Sequence, residues 1–119
     1  MKTVSIGSHR FTKVVVLDEP GQGNACHEYA VVPVAEVDEN KEYGRVSFQN
    51  GPIKEFGVNG CHHEDLLAIV IHRLESFQAG EYNCRENALA LTKLEEAMHW
   101  LNHRTAKRQS RGVEGTHEK

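Results

Sequence analysis

The chain has 119 residues, 39% hydrophobic and 26% charged, a balance that fits one domain with a modest core. So small a core leaves no room for a deep active site inside one subunit, and a sizeable pocket is expected between subunits. No apolar run approaches the ~20 residues that span a bilayer, and a net charge of −3 argues against broad, mainly electrostatic nucleic-acid affinity.

Met1 to Ile6 has no long apolar run, so no secretory signal is expected. Residues 11–17 are rich in valine and predict a strand. Residues 18–24 hold Pro20, Gly21 and Gly23 and predict a loop. Residues 28–37 resume the strand pattern, with Pro33 marking an edge or a bulge because it has no N–H. A polar turn is expected at 38–42 and a short strand at 45–49. Further turns are expected at Asn50-Gly51-Pro52 and Val58-Asn59-Gly60.

The period then changes. Leu67, Val70, Ile71, Leu74 and Phe77 follow helical spacing and predict a helix over 63–78. Residues 79–82 form a link. Asn83, with Glu86 three residues on, suits the cap of a second helix over about 84–103. Two helices joined this way make an antiparallel hairpin, and residues 109–119 are expected to be irregular. Cys26, Cys61 and Cys84 are odd in number, which fits free thiols in a reducing compartment.

On the second helix Ala90, Leu91, Leu94, Ala97, Met98 and Leu101 share one apolar face. Leu89 and Trp100 fall on a separate arc near Lys93. Either the β-layer or a second subunit covers that arc. Charge is also uneven. Residues 1–103 carry 9 basic and 15 acidic groups, whereas residues 104–119 carry 5 basic and 2 acidic. The basic run Arg104, Lys107, Arg108, Arg111 is either a solvated tail or a phosphate-binding one.

Several residues invite a chemical role beside a structural one. Asn87 interrupts the apolar arc, as a satisfied amide capping a neighbouring turn or as a reader of an adenine edge. Phe77 ends the first helix stripe, as core or as a stacking ring. Arg85 stands at the start of the second helix with Ala88 and Thr92 on its face, solvated or holding an anion. His99 and His103 have the i,i+4 spacing that chelates zinc, but no glutamate follows the first and no C-x-x-C occurs. Walker, kinase and G-x-S-x-G signatures are absent. No metal, cofactor or catalytic residue is therefore assigned.

The string Cys84-Arg85-Glu86-Asn87-Ala88-Leu89-Ala90-Leu91-Thr92-Lys93-Leu94-Glu95-Glu96-Ala97, with Phe77-Gln78 before it, resembles the phage Thoeris anti-defence family. Phe48-Gln49-Asn50-Gly51-Pro52-Ile53-Lys54-Glu55 and the ending Arg111-Gly112-Val113-Glu114-Gly115-Thr116 extend the resemblance over roughly residues 45–119. The hairpin is also similar to that of phage anti-CBASS sponges. Residues 1–44 share only a β-rich character with the family.

The resemblance implies an α+β fold, an N-terminal antiparallel β-layer followed by a C-terminal antiparallel two-helix hairpin, in an oligomer that is a dimer or a hexamer. It implies a single domain: a β-rich part over 1–60, the hairpin over 61–104 and a basic tail over 105–119. It implies binding of glycocyclic ADP-ribose signals without cleavage, and of cyclic trinucleotides at a second site, in the cytoplasm of the infected host. Phe77, Asn87, Arg104 and Arg108 then fall to the ADP-ribose-type site, and Arg85, Ala88 and Thr92 to the helix face that meets a trinucleotide. Gln78, Leu89 and Arg111 are also expected among the ligand-binding residues. The competing readings are a signal-degrading phosphodiesterase, which would want clustered metal ligands, and a nucleic-acid-binding or structural phage protein.

Overall fold

The computed structural model describes residues 2–35, 41–112 and 115–116. The predicted strand end at Val37 and most of the predicted turn after it lie outside the described residues. The fold is α+β and divides into two compact units, Met1–Cys61 and His62–Lys119.

The first unit is an antiparallel meander of four strands in the order β1 (Lys2–Thr3), β2 (Thr12–Val16), β3 (Glu28–Pro33) and β4 (Gly44–Ser47). The β-branched run of β2 suits a pleated, half-buried surface. Val15 stands directly opposite Ala30 of β3, and among the described residues these two are the buried hydrophobic ones, at 3% and 1% exposure. Tyr29 and Phe48 extend this small core with an edge-to-face contact at 5.8 Å. Pro33 lies neither on an edge strand nor in a bulge. It is the last residue of an interior strand, and the β4 pairing has already ended at Val31. Its missing N–H therefore breaks no ladder bond on that side.

Three elements escaped the sequence reading, the first being a 3₁₀ turn, Gln22–Asn24, inside the expected loop. β1 is two residues long, and α1 (Ile53–Phe56) is a single turn between Pro52 and Gly57. Side-chain amides hold that turn in place. Gln49 accepts from the Asn59 N–H and donates to the carbonyls of Gly51 and Gly57. Asn59 in turn exchanges two bonds with the backbone of Asn50. Gly60 is required here, because a Cβ would collide with the backbone of Phe48 and Gln49.

The second unit is the hairpin of α2 (His63–Gln78) and α3 (Arg85–Ser110). The bounds of α2 are those predicted. Its start is fixed by Asp65, whose carboxylate accepts the His62 N–H at 2.9 Å. α3 runs seven residues past its predicted end, so much of the expected basic tail is helix. Residues 104–110 contain good helix formers, and Lys107 and Arg108 in the last turn complement the negative end of the helix dipole. The cap also differs from expectation. Cys84, not Asn83, caps α3, its sulfur accepting the Asn87 N–H at 3.4 Å. Asn83 turns back instead and donates to the Gly80 carbonyl. Among the described residues no helix is long and apolar enough to cross a membrane.

Candidate functional site

Half-buried positions along α3 are Asn87, Leu91, Leu94, Met98, Leu101, Thr105 and Arg108, alternating four and three residues apart. On α2 the matching set is Glu64, Leu67, Ile71, Leu74 and Gln78. This is the heptad seam of two helices packed along each other. Asn87 occupies a seam position that an aliphatic residue would otherwise fill. Its backbone N–H is spent on Cys84, while its side-chain amide has no hydrogen-bond partner among the described residues. The amide is thus placed on the seam but only half-buried, within reach of solvent.

At the tip of the hairpin, Gln78 brackets Cys84. Its Oε1 accepts the Cys84 N–H and its Nε2 donates to the Cys84 carbonyl, both at 3.1 Å. The amide of Gln78 is committed to closing the 79–84 link. Beside it, Phe77 is half-buried. The Arg73 guanidinium lies over its ring, 4.9 Å from the centroid, and Tyr82 meets it edge-on at 6.3 Å. Sequence reasoning found Phe77 and missed both neighbours. The i,i+4 spacing of Arg73 and Phe77 was the available signal.

At the other end of α3 are the cations. Arg104 and Lys107 are exposed on the helix, and Arg108 on the seam donates to the Thr116 carbonyl at 3.1 Å. The backbone N–H of Arg111 closes the helix onto the carbonyls of Lys107, Arg108 and Gln109. The structure does not bring these cations near the tip. By the 1.5 Å helical rise, Arg104 lies about 25 Å and Arg108 about 30 Å along α3 from Asn87.

The flanks of the seam are unlike each other. Turning each helix by 100° per residue places Leu66, Ile69, Val70, Arg73 and Phe77 on one flank of α2. The corresponding flank of α3 holds Leu89, Lys93, Trp100 and Arg104. Because the helices run antiparallel, both flanks lie on the same side of the hairpin. Ile69, Leu89 and Trp100 are 65%, 50% and 59% exposed there, and no residue of either helix is buried. Arg85, Ala88, Thr92, His99 and His103 project from the outward face of α3, all exposed. The Thr92 hydroxyl is spent on the Ala88 carbonyl. The rings of His99 and His103 are stacked 6.3 Å apart. Among the described residues no group of three or more histidines, cysteines or carboxylates is placed to hold a metal ion.

In the β-unit the main electrostatic feature is the Asp18 carboxylate, which accepts the His27 N–H at 2.9 Å and the Glu28 N–H at 3.1 Å. Chiefly the bond from His27 holds this carboxyl below its usual range. Burial pushes the neighbouring Cys26 thiol up.

Residues 40–106 match the family described as the Acb2/Tad1 hairpin domain. The chain is also 52% identical, over 116 residues, to a protein of Bacillus phage SBSphiJ7 named Thoeris anti-defense 1, and the match covers 81% of this chain and 82% of that relative.

Proposed function

Since the chain belongs to the Thoeris anti-defence family and carries the Acb2/Tad1 hairpin, we propose that it works as a sponge, binding glycocyclic ADP-ribose signals intact so that they cannot reach the host effector. The observation that carries this reading is the division of labour along the hairpin. Ring and amide chemistry gather at the tip (Phe77, Asn87) beside the single guanidinium of Arg73, while the basic run with Arg104 and Arg108 stands at the other end. A nucleotide ligand with flat bases and a pyrophosphate wants both. At about 25–30 Å apart they cannot meet on one small ligand within one chain.

A second copy running the opposite way would set the tip of one hairpin against the basic end of the other. The exposed apolar flank with Leu89 and Trp100 is the surface such a pairing would cover. The homo-oligomer is therefore part of the proposal: the site exists only between copies. Sequestration also demands tight binding, and a nanomolar Kd corresponds to about −12 kcal/mol.

The outward face of α3 is the surface proposed for a second ligand. Arg85, Ala88 and Thr92 point away from the seam, so a cyclic trinucleotide held there would not compete with a ligand at the tip. Both would be held in the cytoplasm of the infected host.

Incubation with a glycocyclic ADP-ribose, removal of free ligand and heat denaturation should release the compound unchanged. Recovery of a hydrolysed product would overturn the sponge reading in favour of a degrading enzyme. Tight, salt-sensitive DNA binding in a gel shift would favour a nucleic-acid-binding protein instead.

A further inference from the structure

We infer that Arg73 and Tyr82 are ligand-binding residues of the tip site, with the Arg73 guanidinium, backed by Phe77, forming the surface on which the nucleobase stacks. The inference rests on the sponge reading and goes beyond it by naming which groups a base and its phosphates touch.

Arg73 covers Phe77 from one turn earlier on α2, its Cζ 4.9 Å from the ring centroid. Phe77 is half-buried, whereas Arg73 is exposed and Tyr82 is 71% exposed. A ligand arriving from solvent on that side therefore meets the guanidinium before it meets the phenyl ring. A guanidinium is planar and weakly hydrated, and a base stacks on it as readily as on an aromatic ring. The phenyl ring behind it anchors the plane by cation–π attraction. Around its rim the guanidinium keeps its N–H groups, which have no hydrogen-bond or ion-pair partner among the described residues. Those donors suit a phosphate oxygen attached to the stacked nucleoside.

Tyr82 supplies the wall. Its ring stands at 89° to Phe77, and its place is fixed because Gln78 clamps the far end of the same link at Cys84. The occupant that fits is a purine nucleotide, its base on Arg73 and its edge against Tyr82.

Calorimetry with glycocyclic ADP-ribose tests this on the full-length chain. Arg73→Ala should weaken binding about 5- to 150-fold, the range that loss of one stacked base gives. Arg73→Lys should recover less than a third of that loss in logarithmic terms, since lysine restores the charge but not the plane. Tyr82→Ala should weaken binding and Tyr82→Phe should retain it. Thermal midpoints of all four variants should stay near that of the parent, because both side chains are exposed. Binding by Arg73→Ala within twofold of the parent, or tighter, would show that the ligand meets Phe77 directly and would overturn the assignment. Full recovery by Arg73→Lys would overturn the stacking role. Unchanged binding in Tyr82→Ala would remove Tyr82. If the parent chain itself fails to bind, the sponge reading falls first and this inference falls with it.

Discussion

The side chain of Gln78 holds the backbone of Cys84 from both sides, accepting its N–H and donating to its carbonyl at 3.1 Å each. One amide thus ties the last residue of α2 to the cap of α3, and everything at the tip inherits its position from that pair. Gln78→Glu removes the donor but keeps the acceptor, while Gln78→Ala removes both. At about 0.5–1.5 kcal/mol per bond, loss of both bonds in Gln78→Ala should lower hairpin stability by about 1–3 kcal/mol, with Gln78→Glu in between. Ligand affinity should fall in the same order, because Phe77 and Tyr82 lose their fixed relation. Thermal melts and calorimetry on the same samples check both parts.

Asn87 sits where the seam wants an aliphatic side chain. Asn87→Leu should therefore raise the melting temperature, since an amide without partners leaves the seam and buried apolar surface replaces it. The same substitution should abolish ADP-ribose-type binding. Such an opposition of stability and function marks a residue kept for the ligand. A lower melting temperature in Asn87→Leu would instead assign the amide a packing role.

If the site joins the tip of one copy to the basic end of another, two dead variants should rescue each other. Asn87→Ala lacks the tip and Arg104→Ala/Arg108→Ala lacks the basic end, and neither should bind. Mixed in equal amounts and allowed to exchange subunits in two-fold pairs, half of the pairs are hybrid and each hybrid has one intact site. Ligand stoichiometry should return to about one quarter of the parent value. A site contained within one chain predicts no recovery, and calorimetric stoichiometry separates the two.

Asp18 gives the β-unit a pH dependence of defined sign. Its folded carboxyl is held below the ordinary value of 3.8, first by the His27 N–H. A carboxylate depressed by folding stabilises the fold fully above its unfolded pKa, and this contribution is lost as pH falls through the folded value. Stability of the parent chain should thus be level with respect to this group near neutrality and decline below about pH 4. Asp18→Asn should destabilise the β-unit at pH 7, with the deficit shrinking as the parent is acidified. Chemical denaturation of both chains at several pH values measures the convergence.

Much of this architecture is written in local patterns. The apolar spacing from Leu67 to Phe77 placed α2 at its observed bounds, and the valine run placed β2, because periodicity and β-branching act within a few residues. The cap at Cys84 was missed by one position, since a thiol is a weak acceptor and asparagine next to it is the commoner cap. α1 and the two-residue β1 were missed because tertiary bonds, such as those from Gln49 and Asn59, hold them rather than intrinsic propensity.

The sequence by itself determined the family, the two kinds of secondary structure and the residue types on which the proposed site draws, because each is carried by neighbours in the chain. Only the tertiary structure decided that Asn87 and Arg104 stand about 25 Å apart along α3, that Gln78 serves the turn, and that Arg73 covers Phe77. Those facts depend on where a continuous helix carries its residues and on which side chains meet across a link, and distance along the chain does not encode them.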